Sequence, residues 1–264
     1  MQNLIVGFLG GGALAESVIR GISNTLTAPK NIFVSEQSQD RRAYLEKTYG
    51  VNVSATVDFT DKISALIIAV KPKDAATALA ELQTKLSPEV LVMSVVAGLK
   101  LKVIEDSLPN QRIIRIMPNV NVAVGEGMIA LAAGSFATSS DVELANKFWS
   151  AVGRTVIIDE KLMDAVTGLS GSGPAFAFLA IDALADGGVA AGLPRDIAIQ
   201  LAAQTLLGSA KMVLESGTHP DVLRDRVTSP AGTTIEGVRV LERSGFRSAL
   251  IEAVIAATEK SKIL

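Results

Sequence analysis

Leu4-Ile5-Val6-Gly7-Phe8-Leu9-Gly10-Gly11-Gly12-Ala13-Leu14-Ala15 is the stretch on which the fold turns. Its first six residues are apolar or small and bounded by glycines, which predicts a short strand over Leu4–Leu9. The pattern from Ala13 to Asn24 predicts a helix. In a strand–turn–helix setting, G-x-G-x-x-A has a physical meaning. Gly10 permits the tight turn, Gly12 lets a pyrophosphate approach the backbone, and Ala15 lets the helix pack close to the strand. A glycine-rich turn with no ligand is the plain alternative.

Working outward, the first 160 residues repeat this alternation. Further strands are predicted at Asn31–Ser35, Val51–Ser54, Ala65–Val70, Val90–Val95, Arg112–Met117, Met128–Ala132 and Thr155–Ile158. Helices are predicted near Gln39–Tyr49, Lys73–Leu86, Lys100–Ser107 and Ser139–Ala151. Alternation of this kind implies a mostly parallel sheet with right-handed crossovers. Small or polar residues stand at successive strand ends: Ala69-Val70-Lys71-Pro72, then Ala97-Gly98, then Met117-Pro118-Asn119. Ligands of open parallel sheets bind at those ends. Ser35-Glu36-Gln37 follows the second strand. An acid there suits the ribose hydroxyls of NAD, whereas arginines suit the 2′-phosphate of NADP. Glu36 favours the first, and Ser35, Arg41 and Arg42 favour the second.

Beyond Lys161 no strand pattern recurs. Helices are predicted near Met163–Gly168, Pro174–Ala191, Arg195–Glu215, Pro220–Arg226, Thr233–Arg243 and Phe246–Ser261. Gly192-Leu193-Pro194 marks a stop and a restart. Ala175–Leu184 and Ile197–Leu207 are apolar almost all round, and such helices must be buried. A small helical domain has too little interior to do this alone, so a second copy of the chain is expected to complete it. The expected division is 1–160 and 161–264.

Asp225-Arg226-Val227-Thr228-Ser229-Pro230-Ala231-Gly232-Thr233-Thr234 interrupts this helical half. Pro230 biases Ser229 away from the helical region. Gly232 permits backbone angles closed to other residues, and Thr233 and Thr234 are capping candidates for the next helix. A loop presenting N–H groups and hydroxyls at a helix N-terminus suits a carboxylate. A turn that merely caps itself is the other reading. Gly168-Leu169-Ser170-Gly171-Ser172-Gly173-Pro174-Ala175 joins the halves, either as a breaker or as close backbone packing beside a cofactor.

Composition narrows the classes. The chain has 264 residues, 25 Lys+Arg against 27 Asp+Glu, 4% aromatics, no Cys and one His. No basic field or stacking platform exists for nucleic acid. A disulfide framework, a thiolate zinc site, a His-based metal centre and a Ser-His-Asp triad are all disfavoured. His219 reads as a helix-start residue without a catalytic role. Asp182 and Asp186 interrupt the apolar run Pro174–Gly192, which argues against a membrane span. No signal peptide is apparent, and a soluble cytoplasmic protein is expected.

At this point the chain resembles the pyrroline-5-carboxylate reductases over essentially its whole length. The likeness rests on Gly7–Gly12, Ala69–Pro72, Arg115-Ile116-Met117-Pro118-Asn119, Gly168–Ala175, Asp182–Val189, Gly192-Leu193-Pro194 and the Asp225–Thr234 run. It implies an α/β, Rossmann-like dinucleotide-binding domain followed by an all-α dimerisation domain. The implied reaction is hydride transfer from NADPH, with NADH held open, to the C=N bond of a five-membered cyclic imino acid, giving L-proline. By the resemblance, Leu9, Gly10, Gly11, Gly12, Ala13, Leu14, Ser35, Ala69, Val70, Lys71, Pro72, Val96, Ala97, Gly98, Met117 and Asn119 contact cofactor. Ser229, Gly232, Thr233 and Thr234 hold the substrate, with Thr234 on the ring nitrogen in the catalytic role. Interlocked dimers, often built into decamers, are implied, and no metal.

The chain departs from the family pattern at Ala231, where glycine is usual, at Val120-Asn121, where Thr-Pro is usual, and at Gln37, where NADP-preferring members carry arginine. A positive φ at Ala231 would strain it. Two other readings stand beside the resemblance. β-Hydroxyacid dehydrogenases share the architecture but need a helical-domain lysine preceded by asparagine, and no Asn follows Lys161 here. A non-catalytic dinucleotide sensor would explain the glycine turn but not the Ser-Pro-Ala-Gly-Thr-Thr loop.

Overall fold

A computed structural model describes residues 4–23 and 25–263. It divides into two compact units, Met1–Gly171 with Ala257–Leu264, and Ser172–Ala256.

The first unit is built on an eight-stranded sheet. Its strands are β1 Val6–Leu9, β2 Ile32–Ser35, β3 Asn52–Ser54, β4 Ala65–Ile68, β5 Leu91–Ser94, β6 Arg112–Met117, β7 Gly127–Ala133 and β8 Gly153–Ile157. The order is β3-β2-β1-β4-β5-β6-β7-β8. The first six strands are parallel, β7 is antiparallel to β6, and β8 is parallel to β7. The connecting helices are α1 Ala13–Ile22, α2 Gln39–Tyr49, α3 Ala75–Gln83, α4 Leu101–Ser107 and α5 Ser139–Trp149. The expected end of the first helix at Asn24 lies outside the described residues.

The two-residue period of each strand sorts its side chains between two cores. Val6, Phe8, Ile32, Val34, Ala65 and Ile67 meet α1, α2 and α5 on one face. Leu66, Ile68, Val92 and Ile113 meet α3 and α4 on the other. The first core contains Trp149, fully buried and edge-on to Phe148 at 5.5 Å, with its indole Nε1 unpartnered. Phe59 and Ile63, from the irregular β3–β4 connection, cover the second face. A Cβ on Gly7 would lie 2.7 Å from the Phe59 ring, so the glycine makes room for that cover.

After β8 come a short helix α6, Met163–Val166, and a π-helical turn over Thr167–Gly171. The expected helix over Met163–Gly168 is therefore two pieces. Lys73–Leu86 shrinks to Ala75–Gln83, because Pro72 opens a single 3₁₀ turn, Pro72–Asp74, before the helix proper.

The second unit holds α7 Gly173–Ala190, α8 Arg195–Ser216, α9 Pro220–Arg226, α10 Thr233–Arg243 and most of α11 Phe246–Ser261. Gly192 has φ +99°, and Pro194 is the N-cap of α8, as a stop followed by a restart requires. His219 caps α9, its Nδ1 accepting from the Asp221 N–H at 3.2 Å. The pair α7 and α8 closes over a very small core of Ala185, Ala198 and Ala202. Phe178, Leu179, Leu201, Leu207 and Leu214 of the same two helices are each at least half exposed in the single chain. The helical run Glu160–Ala190 and helix Arg195–Ser216 are long and apolar enough to cross a membrane by length and composition.

Candidate functional site

The candidate cofactor site lies at the C-terminal ends of β1, β2, β4, β5 and β6 in the first unit. The three glycines of its first loop do different work. Gly10 has φ +100°, and a Cβ there would lie 2.6 Å from the Ala69 carbonyl oxygen. Its N–H donates to Ser35 O at 2.8 Å, and the Ala69 N–H donates to Leu9 O at 2.8 Å, so the loop is knitted to both neighbouring strands. Gly12 has an ordinary φ of −67° and is the N-cap of α1 without a side-chain cap. A Cβ at Gly12 would meet nothing within 4 Å. Glycine there leaves open space over unsatisfied N–H groups at a helix N-terminus, a cradle that fits a pyrophosphate. Gly12 and Ala13 are exposed, Leu14 is half-buried, and Ala15 is buried against the sheet.

Gly11 is held from both sides. Its N–H donates to Glu36 Oε2 at 2.9 Å, and its carbonyl accepts from Arg41 Nε at 2.7 Å. The other Glu36 oxygen accepts from the Ser38 N–H at 2.9 Å. Arg41 Nη2 reaches Glu16 Oε2, and the other Glu16 oxygen accepts from Tyr44 at 2.9 Å and Tyr49 at 2.8 Å. Burial pushes the Glu16 carboxyl up, but the bonds from Arg41 and the two phenols outweigh it and hold the group below its ordinary value. Burial and the bond to Glu16 push Tyr49 up to about 12. Apart from the Ser38–Glu36 bond, none of this clamp is a local sequence signal, because its partners are 25 to 33 residues apart.

The other expected cofactor residues gather at the same sheet edge. Ser35 is buried at the end of β2. Ala69 and Val70 are half-buried, and Lys71 and Pro72 are exposed. Val96 points into the core, leaving Ala97 and Gly98 (φ +74°) as the floor. Met117 ends β6 and Asn119 follows it as the cap of a 3₁₀ turn, but the Asn119 side chain is largely occupied. Its Oδ1 accepts from the N–H groups of Asn121 and Met128, and its Nδ2 donates to Ser170 O at 3.1 Å. The Gly168–Gly171 segment packs closely here, since a Cβ on Gly171 would lie 2.7 Å from Met117 Cε. Nearby, buried Arg115 pairs with Glu160 at 2.9 Å, and Glu160 also accepts from the Leu101 N–H. Sequence reasoning missed that tie, whose two charged partners are 45 residues apart.

The candidate substrate loop lies in the second unit. The Gly232 N–H donates to Ser229 O at 3.1 Å, closing a four-residue turn. Pro230 stands second in it, and Ala231 third with φ +55°. Proline second and a positive φ third is the type II pattern, in which glycine is the usual third residue. The positive φ thus falls on Ala231 and not on Gly232, which has φ −78°. A Cβ at Gly232 would lie 2.3 Å from the rotatable Ser229 Oγ and 3.1 Å from Ser229 O, so the turn packs closely there. The threonines do not cap α10. Gly232 is the N-cap with no side-chain bond, and Thr233 and Thr234 are the first two helical residues. Among the described residues no side chain accepts from the N–H groups of that first turn, and Ser229 and Thr233 are exposed beside them.

Residues 160–264 match the family model of pyrroline-5-carboxylate reductase dimerisation, and residues 5–98 match that of coenzyme F420-dependent NADP oxidoreductases. The chain is 47% identical to the pyrroline-5-carboxylate reductase of Arabidopsis thaliana over 100% of its own length and 96% of the relative's. The pyrroline-5-carboxylate reductase of Coxiella burnetii superposes with a TM-score of 0.90 at 32% identity, covering 98% of each chain. The pyrroline carboxylate reductase of Plasmodium falciparum, solved with NADP bound, superposes with a TM-score of 0.89 at 32% identity over 100% of this chain and 98% of that one.

Proposed function

The chain belongs to the pyrroline-5-carboxylate reductase family, and from that premise we propose that it reduces Δ1-pyrroline-5-carboxylate to L-proline with NADPH. The observation that carries the reading at the level of residues is the uncapped start of α10 behind the Ser229–Gly232 turn. A cyclic imine bearing one carboxylate needs an anion cradle and one hydrogen-bond partner for its nitrogen. Both stand there, within a few residues.

The division of labour follows from the two helix N-termini. The start of α1, open at Gly12, receives the pyrophosphate. Ala97 and Gly98 floor the cleft beside Met117. Ser229, Thr233 and the N–H groups of the first turn of α10 hold the substrate carboxylate. The Thr234 hydroxyl accepts a hydrogen bond from the ring N–H, fixing the iminium protonated and in register. When bound, the dihydronicotinamide supplies the hydride to the imine carbon, and the electron pair of the C=N bond moves to nitrogen. No strong acid or base is required of the chain, because the substrate carries its proton in. Orientation supplies the rate.

We place the functional boundary at 160/161, one residue inside the stretch 160–264 that the dimerisation model matches. That model supports a homo-oligomer. A dimer covering the apolar helices of the second unit is the assembly we propose, with a decamer as the higher form and the cytoplasm as the compartment. A chain without cysteine has no disulfide to form and needs no oxidising compartment.

The test is the loss of NADPH absorbance with Δ1-pyrroline-5-carboxylate, with proline identified as the product. Thr234→Ala is expected to lower kcat/KM by about 10- to 100-fold, the range of one well-placed hydrogen bond. Full turnover in that variant would remove Thr234 from its role. No turnover in the parent protein would overturn the reading.

A further inference from the structure

We propose that Arg42 reads the 2′-phosphate of the cofactor's adenosine ribose, and that its neighbour Arg41 does not. The inference rests on the NADPH reading above and adds the residue that enforces it.

Dinucleotide folds meet the adenosine ribose just past the second strand. Three charged side chains stand there: Glu36, Arg41 and Arg42. Glu36 is the residue expected to take a ribose diol and to repel a phosphate. Both of its oxygens are instead engaged by backbone N–H groups, those of Gly11 and Ser38, each at 2.9 Å. Its charge is directed at the glycine loop and serves as a staple.

The two arginines differ in which edge of the guanidinium is free. Arg41 uses its Nε and Nη2, the side-on fork, on Gly11 O and on Glu16. Its charge is matched by the Glu16 carboxylate. Arg42 is the reverse case. Only its Nη1 is engaged, donating to Glu36 O and Gln37 O at 2.7 Å each. Both acceptors are neutral carbonyls of the peptides that follow β2. They anchor the guanidinium at the strand end without neutralising it. Among the described residues, Arg42 Nε and Nη2 have no acceptor and no carboxylate pairs with Arg42. A half-buried, anchored guanidinium with its fork free matches two oxygens of a phosphate monoester. Gln37, the next residue after Glu36, turns its side chain away and donates to Ala55 O at 2.9 Å, so it does not compete for the site.

The experiment is calorimetric titration of the whole protein with NADPH, NADH, 2′,5′-ADP and 5′-AMP, with melting temperature recorded for each variant. Arg42→Ala is expected to weaken NADPH and 2′,5′-ADP by about 10- to 100-fold. It leaves NADH and 5′-AMP within about twofold, and the melting temperature unchanged. Arg42→Lys regains part of the loss. Arg41→Ala is expected to weaken all four ligands by a common factor and to lower the melting temperature, since it releases the loop. Equal losses for phosphorylated and unphosphorylated ligands in Arg42→Ala would overturn the proposal. So would no loss at all, or the selective loss appearing in Arg41→Ala. Neither ADP nor AMP undergoes chemistry, so these ratios stand apart from imine turnover: a failed reductase assay and a failed phosphate readout are separate results.

Discussion

Glycines that look alike in the loop Gly10-Gly11-Gly12 carry separable burdens, and substitution distinguishes them. Gly10→Ala puts a Cβ against the Ala69 carbonyl at a φ closed to alanine, and is expected to cost about 3 kcal/mol of stability in urea unfolding. Gly12→Ala meets no atom and keeps an allowed φ, so its melting temperature should hold. Its methyl enters the space above the α1 N-terminus, and NADPH affinity should fall about tenfold, or 1.4 kcal/mol. Ala231 offers the converse case. A left-handed alanine costs about 1–2 kcal/mol, against roughly 0.4–1 kcal/mol for the extra freedom a glycine gains when unfolded. Ala231→Gly should therefore raise the melting temperature by about 1–4 °C. The Ser-Pro pair already marked this turn in the sequence, but proline takes second place in type I and type II turns alike, so the pair left the sign of φ at Ala231 open. The Glu36 staple had no comparable signal, since an acid at the end of β2 reads the same whether it faces a ribose or a backbone amide.

Among elements, those with a clear period were legible. Arg112–Met117 and Thr233–Arg243 end where the pattern ends, whereas Gln39–Tyr49, with almost no amphipathic period, is bounded by the Ser38 cap and by Gly50 at φ +67°. The shortfalls arose where a proline or a π turn changes the hydrogen-bond register inside an apolar run, as at Pro72 and Thr167–Gly171. Long-range ties between elements were not legible, and the α1–α2 contact is the clearest instance. Tyr49 keeps its proton in the folded state up to about pH 12, whereas the unfolded phenol ionises near 10. Between those values the folded chain binds more protons than the unfolded one, so stability falls as pH rises. Tyr49→Phe removes that contribution. Its urea midpoint should decline less steeply than the parent's over this window, and parallel declines would show that Tyr49 titrates normally.

On the scale of the whole molecule, the second unit has a core of three alanines and exposes Phe178, Leu179 and Leu207. Apolar helices with so little interior were readable in the sequence as a demand for a second copy, and the matched dimerisation model is in keeping with that. An assembly that binds only the folded state makes melting depend on protein concentration. The temperature at which the α7–α10 region melts should rise by several degrees across a hundredfold concentration range, and an invariant value would count against a dimer. The aromatic residues give a means of watching this. The chain's one tryptophan, Trp149, and both its tyrosines, Tyr44 and Tyr49, lie in the sheet unit. The helical unit is thus dark in indole and phenol spectroscopy. Intrinsic fluorescence follows the nucleotide-binding half alone, while far-ultraviolet circular dichroism sums both halves. The two signals from a single unlabelled sample can therefore time the loss of the sheet unit against the loss of the helical unit.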